Sequence, residues 1–165
     1  MTISHRDQAR VLAVLHRDAA IAGYGDILPT EAPPPTLDEV LAQWTHWLGP
    51  DWEAGRRTFV AEVGSSAVGV VLAGPDPIEP DAGHLARLYV TPERWAQGIG
   101  RELYEAAISH LRVVGFVEVT LWVLEGNSRA RSWYERLGWR PTGERKSVFA
   151  PAGIEDIRYR LTLKS

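Results

Sequence analysis

The sequence predicts a mixed α/β (α+β) fold, a mixed sheet with helices packed on it, from two observations. Apolar residues recur at helical spacing in four segments, and short runs rich in β-forming residues lie between them. Glycine and proline stand at most changes of pattern, and neither an internal repeat nor a domain linker is visible. We therefore expect residues 1–165 to form a single domain, a length that suits one core.

Four helices are predicted, at residues 7–22, 37–48, 98–114 and 128–137. Thr36 precedes the second helix, and Glu39 follows three residues later, which predicts a capping box. The spacing of the third helix places Val114 on its buried side. In the fourth helix, Arg131 and Glu135 lie one turn apart, and we expect them to pair on its outer face.

Six strands are predicted, at residues 58–63, 68–73, 84–90, 116–123, 139–149 and 154–163. Gly64-Ser65-Ser66 separates the first two runs and predicts a hairpin. The last two runs are separated by Pro151-Ala152-Gly153, which predicts a second tight turn.

Composition excludes several classes of protein. The chain has no cysteine, which rules out disulfides, thiolate metal sites and a cysteine nucleophile. Its net charge of -3 lacks the basic excess of a nucleic-acid-binding protein. The five histidines are scattered, so we expect no metal site. No apolar stretch is long enough for a signal peptide or a membrane span, so we expect a soluble, cytoplasmic protein without a membrane role.

A strand, a glycine turn and a helix start follow one another at residues 84–101. The strand ends in Leu88-Tyr89-Val90, and Gly98-Ile99-Gly100 opens the helix. Unpaired amides and the helix dipole at such a start form a cradle for a diphosphate, which Arg94 and Arg101 flank. The same glycines also suit a packed turn, and Leu103 stands where a dinucleotide-binding fingerprint needs its third glycine.

A second informative stretch contains Asn127 and Tyr134. Asn127 lies between a strand and a helix, where it either caps the helix or binds a ligand at the strand end. Tyr134 lies on the inner side of that helix, as either a core tyrosine or a proton donor above the sheet.

Together, the two stretches resemble the GNAT superfamily of N-acetyltransferases. Leu-Tyr-Val, Pro-Glu and Gln-Gly-Ile-Gly-Arg, at residues 88–101, are similar to its cofactor loop. Residues 127–139, from Asn127-Ser128 through Trp133-Tyr134-Glu135 to Gly138-Trp139, are similar to its second signature. The order of helices and strands agrees over residues 7–163.

The resemblance implies a mostly antiparallel sheet with helices on both faces and a splay between two parallel strands, at residues 85–90 and 117–123. The pantetheine arm of acetyl-CoA would lie in that splay. Asn127 would hydrogen-bond the arm, and Tyr134 would protonate the departing thiolate. The remaining cofactor-binding positions would be Leu88, Tyr89, Val90, Trp95, Ala96, Gln97, Gly98, Ile99, Gly100 and Arg101.

The chain departs from the family pattern at three positions. Trp95 stands where the loop often begins with Gln or Arg, and Ala96 stands where glycine is common. His84 occupies the place of a glutamate that many members use as general base. A neutral histidine can accept a proton there, although His84 also suits a strand edge without a chemical task. Asp81, Glu125 or a water molecule are alternatives.

The resemblance implies transfer of the acetyl group to a primary amine of a small molecule or peptide, in a ternary complex. The acceptor site would involve residues 24–35, Trp44, Trp47 and residues 145–154, although tryptophans serve packing more often. A non-catalytic or regulatory acyl-CoA-binding module is the alternative function. Relatives commonly dimerise, so a homodimer stays open.

Overall fold

The computed structural model describes residues 5–49 and 55–163, which form four helices and six strands. The helices are α1 (His5–Tyr24), α2 (Leu37–Trp47), α3 (Ile99–Val114) and α4 (Ser128–Arg136). The strands are β1 (Arg57–Val63), β2 (Ser66–Pro75), β3 (Gly83–Val90), β4 (Glu118–Leu124), β5 (Arg140–Phe149) and β6 (Ile154–Thr162). Within these ranges, no helix is long and apolar enough to cross a bilayer.

The six strands form one sheet in the order β1-β2-β3-β4-β6-β5. Every neighbouring pair is antiparallel except β3 and β4, which run parallel. The predicted mixed, mostly antiparallel sheet is therefore confirmed. Gly64, at φ +63°, lies in the turn between β1 and β2 and so confirms the hairpin there.

Helices cover both faces of the sheet, as predicted. On one face, Leu103 and Leu111 of α3 and Tyr134 of α4 pack with Val119 and other side chains of the central strands. On the other face, α1 and α2 pack on β2 through a second cluster of buried residues, which contains Leu12, Trp44, Val70 and Leu72. Because apolar side chains recur at helical spacing, each helix buries one stripe, and each fully buried large side chain contributes roughly 1.5–3 kcal/mol.

The helix ends follow the local signals in the sequence. The Thr36 amide donates to Glu39 Oε2 at 2.7 Å, and the Glu39 amide donates to Thr36 Oγ1 at 3.3 Å, which is the predicted capping box. Gly115 ends α3 at φ +108°, and Gly138 follows α4 at φ +95°. Both glycines adopt a backbone conformation that other residues reach only with strain.

Two details of side-chain placement differ from the prediction. Val114 is 44% exposed instead of buried, and it is the last residue of α3, followed directly by Gly115. Arg131 and Glu135 meet at the hydroxyl group of the buried Tyr159: Arg131 Nε donates to it at 3.1 Å, and the hydroxyl donates to Glu135 Oε1 at 2.8 Å. A buried hydroxyl group needs hydrogen-bond partners, so Arg131 and Glu135 are connected through Tyr159.

Candidate active site

The central feature of the site is a gap in the sheet. The parallel strands β3 and β4 are paired in register at only two positions, Gly83 with Val119 and His84 with Thr120. Beyond them β3 continues to Val90 and β4 to Leu124 without further pairing. The predicted splay is therefore present, and it leaves backbone groups inside the sheet open to a ligand.

A β-bulge in β3 lies next to this gap. Val70 pairs with Tyr89 and Leu72 with Ala86, so Arg87 and Leu88 together oppose the single residue between them on β2. Arg87 has φ +56°, a left-handed conformation that is uncommon outside glycine. A bulge of this kind bends the strand and redirects the residues that follow, here those from Leu88 onward.

The loop after β3 is held closed by its own side chains. Trp95 Nε1 donates to the Val90 carbonyl at 2.8 Å, and Gln97 Nε2 donates to the Glu93 carbonyl at 3.0 Å. Ala96 has φ +60° and Gly98 has φ +86°. Glycine adopts this conformation freely, whereas the left-handed conformation costs alanine about 1–2 kcal/mol, so Ala96 is a strained position of the loop.

A cavity of about 460 Å³ adjoins the gap and the loop. Every residue predicted for the cofactor site lines it except Gln97, whose side chain turns back on the loop. The proton-donor candidate Tyr134 lines the same cavity. Four arginines also line it: Arg94, Arg101, Arg129 and Arg136. No described lining residue carries a carboxylate, although Arg101 pairs with Glu105 at 2.8 Å. An anionic ligand such as a diphosphate suits this lining.

Asn127 combines both interpretations of its position. Its side-chain oxygen accepts a hydrogen bond from the Ala130 amide at 3.1 Å and caps α4. The residue also lines the cavity. The cap uses the oxygen of the side-chain amide, so the Nδ2 group remains a donor suited to a ligand carbonyl.

Tyr134 is buried, with 8% of its surface exposed, and it lines the cavity. Burial raises the pKa of its hydroxyl well above the ordinary value, and Tyr104 and Tyr89 add to the effect. No residue in the described part of the chain hydrogen-bonds this hydroxyl, whereas Tyr104 and Tyr159 are both engaged inside the core. Tyr134 therefore stays protonated across the physiological range and can donate to a ligand.

Tyr24 lies in the same cavity, although the sequence suggested it only as part of an acceptor loop. It ends α1, and its ring lies 6.5 Å from that of Tyr89, edge to face. Burial raises the pKa of Tyr24, and Tyr89 and Tyr134 raise it further. No local motif marks Tyr24, because only the packing of α1 on β3 brings it to the cavity.

The predicted base, His84, does not share a cavity with Tyr134. It lines a second cavity, and its Nδ1 lies 2.9 Å from Thr120 Oγ1. The Thr120 hydroxyl donates to Asp76, so it accepts from His84 Nδ1, and the neutral ring keeps its acceptor lone pair on Nε2. Burial lowers the pKa of His84 to about 4, although Asp76 acts in the opposite direction.

The second cavity has a volume of about 580 Å³ and lies between the end of α2 and the strands β1 to β5. Trp47 and Trp122 contribute aromatic surface to it, and Lys146 lies on its β5 side. Trp44, predicted for the acceptor site, lies instead in the core with no exposed surface, where its Nε1 donates to His16 Nδ1 at 3.3 Å. Trp44 and Trp47 lie about one turn apart on α2, and Trp44 packs inward while Trp47 lines the cavity.

Residues 12–139 match the acetyltransferase (GNAT) family model. The chain belongs to the acetyltransferase (GNAT) family. This GNAT chain is 32% identical over 111 residues to a Mycobacterium tuberculosis protein named a probable N-acetyltransferase. The matched region covers 65% of this chain and 61% of that protein. A 60-residue match to the mycothiol acetyltransferase of Kocuria rhizophila, at 42% identity, covers 36% of this chain and 20% of that enzyme. The matches thus span less than two thirds of either relative.

Solved structures share the fold of this GNAT chain over nearly its whole length. The PaiA N-acetyltransferase of Thermoplasma acidophilum, in complex with coenzyme A, has a TM-score of 0.72 at 18% identity, over 98% of this chain and 97% of that chain. The ribosomal-protein-alanine N-acetyltransferase of Brucella melitensis has a TM-score of 0.72 at 20% identity, over 98% of both chains. At these identities the likeness concerns the fold.

Proposed function

We propose that residues 1–165 act as a single domain that transfers the acetyl group of acetyl-CoA to a primary amine of a small molecule or peptide. The observation that carries the proposal is the gap between β3 and β4, which adjoins a cavity with an arginine-rich glycine loop and Tyr134 in its lining. Family membership supports the same reaction class.

The lining fits the parts of acetyl-CoA. Its diphosphate would bind the amides at the start of α3 and the arginines of the cavity, because helix N-termini and guanidinium groups both favour anions. Its extended amide arm would complete the sheet between β3 and β4. Trp95 already bonds the Val90 carbonyl, so pairing with the arm would fall mainly on Leu88 and Tyr89.

The transfer forms a bond between the amine nitrogen and the acetyl carbon and breaks the bond from that carbon to sulfur. Acetyl-CoA supplies the activated acetyl group. Tyr134 would donate a proton to the leaving sulfur, since its hydroxyl is protonated and unengaged by the described residues. His84 would accept the amine proton at Nε2, while Thr120 and Asp76 hold its other nitrogen.

The low pKa of His84 places a condition on the acceptor. A ring with a pKa of about 4 is too weak a base to deprotonate an ammonium group before reaction. The amine would therefore enter uncharged and lose its proton only as the new bond forms, when the nitrogen becomes much more acidic.

Calorimetric titration with acetyl-CoA, and in parallel with ATP and NAD, tests the proposal at its first step. We expect saturable micromolar binding of acetyl-CoA alone, followed by release of CoA when amines are added. Preference for ATP or NAD would overturn the assignment of the cavity. Tight acetyl-CoA binding with no turnover across a broad amine panel would favour a non-catalytic acyl-CoA-binding module.

A further inference from the structure

The second cavity is cationic. Among the described residues that line it are four cations and no carboxylate: Arg56, Arg57, Arg87 and Lys146. Its two tryptophans and several small apolar residues supply the remaining walls. A cavity of this composition attracts a negatively charged ligand with a flat or apolar body and repels a polycation.

Two carboxylates near this cavity, those of Asp76 and Glu79, are engaged by arginines of β6. Asp76 is fully buried and accepts from Arg158 Nη2 at 2.7 Å. Glu79 accepts from Arg160 Nη2 at 2.6 Å. Because these two acids are paired with arginines of β6, they offset the cations of the cavity only in part. Asp76 also interacts with Lys146, and Asp156 interacts with both Lys146 and Arg87.

Arg87 and Lys146 are each held against an aromatic ring. The Arg87 guanidinium lies 4.9 Å from the Trp47 ring centre, and Lys146 Nζ lies 4.4 Å from that of Trp122. Lys146 also lies 3.6 Å from Asp156, while no described carboxylate lies within ion-pair distance of Arg87. A guanidinium group that lies over an aromatic ring can still donate its N–H groups to a carboxylate or phosphate.

The position of the cavity along β3 connects it to the proposed chemistry. His84, Ala86 and Arg87 line the second cavity, and Leu88, Tyr89 and Val90 line the first. The two cavities meet along β3 at the bulge, where Arg87 lines the second cavity and Leu88 lines the first. A molecule in the second cavity would thus end beside the strand positions that flank the gap.

We propose that the acceptor amine carries an anionic group, a carboxylate or a phosphate, which binds in this cavity through Arg87 and Lys146. This inference rests on the proposed function. The anion would fix the acceptor while its amine points along β3 toward the gap. Polycationic amines would be poor acceptors, because they would meet like charge in the cavity.

Paired ligands that differ only in the anion test this inference by binding, without a need for turnover. With the protein saturated by CoA, calorimetry would compare N-acetyl-L-tryptophan with N-acetyl-L-tryptophanamide. In the kinetic arm, kcat/KM for acetylation would be compared between L-tryptophan and its amide, and between O-phosphoethanolamine and ethanolamine. The amide has the more readily neutral amine, so a preference for the acid would not reflect amine reactivity.

We expect the anionic member of at least one pair to be favoured about tenfold or more, and the pair that responds identifies carboxylate or phosphate. Arg87→Gln and Lys146→Gln should bring that ratio toward one, mainly through KM. Arg140→Gln, which removes an exposed cation of β5 outside the cavity, is the matched control and should leave it unchanged.

Two results would overturn the inference: neutral members favoured or equal in every pair, or an anion preference that both cavity variants retain. Acetylation of neutral amines alone would leave the proposed function standing without the anion site. Failure to bind acetyl-CoA, together with discrimination between the two N-acetyl probes by the protein without cofactor, would instead refute the proposed function and support the anion site.

Discussion

Replacing Tyr134 with phenylalanine should separate catalysis from stability. If Tyr134 donates the proton to the leaving sulfur, removal of its hydroxyl should lower kcat about 10²–10⁴-fold, the usual contribution of a positioned acid. Acetyl-CoA binding should change little, because the ring that lines the cavity remains.

The structure also sets the expected change in stability. The hydroxyl of Tyr134 has no hydrogen-bond partner among the described residues, so Tyr134→Phe breaks no internal hydrogen bond. We expect its free energy of unfolding to change by less than about 1 kcal/mol. Because burial raises the pKa of Tyr134, its ionisation should not limit the wild-type rate below pH 10.

Tyr104→Phe is the matched control. The Tyr104 hydroxyl accepts from Trp139 Nε1 at 3.1 Å in the core, and Tyr104 does not line the cavity. Its loss leaves a buried indole N–H unpaired, which should cost about 1–3 kcal/mol. For a chain of this size, each kcal/mol corresponds to roughly 2–4 °C in Tm.

Measurements of kcat by CoA release, Kd by calorimetry and Tm by calorimetric scanning distinguish the two variants. Tyr134→Phe should lose turnover with Tm preserved, and Tyr104→Phe should lose Tm with turnover preserved. Normal turnover in Tyr134→Phe would refute the assignment of Tyr134 as proton donor.

Three further predictions concern the loop and the core. Gly98→Asp should weaken acetyl-CoA binding at least about tenfold by calorimetry, because it places a carboxylate in the proposed diphosphate site and strains φ +86°; undiminished affinity would exclude the cradle. Ala96→Gly should raise the free energy of unfolding by up to about 1 kcal/mol in urea titration, since relief of φ +60° outweighs the flexibility of glycine; a clear loss would contradict the strain argument. Burial lowers the pKa of His16 to about 4, so the neutral ring stabilises the fold above pH 6.5 and that contribution is lost as pH falls toward 4. His16→Gln, which can still accept from Trp44, should reduce this slope, and an unchanged slope would assign it to His84 and to carboxylates with lowered pKa values instead.

Features specified by a few neighbouring residues could be predicted from the sequence. Thr36 and Glu39 satisfy each other's backbone partners within one turn, so the start of α2 follows from their spacing. Gly98 and Gly115 mark the two ends of α3 because each adopts a positive φ. The turn of the loop follows from the same local signals, whereas the cofactor assignment of residues 88–101 rests on the resemblance to the GNAT superfamily and stays a prediction.

Features that depend on distant partners could not. Asp76 and Arg158 are 82 residues apart and meet only after the sheet has formed. Trp44 and Trp47 are one turn apart on α2, and the sequence does not distinguish the one that packs against His16 from the one that faces the second cavity. Periodicity assigns a face of a helix, whereas the neighbouring elements decide what covers it.

The positive φ of Ala96 could not be predicted from the sequence either. Ala96 adopts φ +60° although its side chain gives no sign of it, because closure of the loop by Trp95 and Gln97 imposes the conformation. His84 and Tyr134 were predicted as one catalytic pair, yet they line different cavities. The register of β3 on β4 places His84 in the paired part of the two strands, and a sequence contains no direct record of that register.

The two-residue contact between β3 and β4 divides the sheet into two halves of three strands each, β1-β2-β3 and β4-β6-β5, which among the described residues are joined along the sheet only at this short contact. Such a contact can act as a hinge, while the side chains packed under α3 limit how far the halves turn. A linear molecule that hydrogen-bonds to both strands would hold the two halves in one relative orientation. Occupancy of the gap would then stiffen the whole sheet, including strands that the ligand never touches, and would couple the shape of both cavities to the presence of the acyl donor.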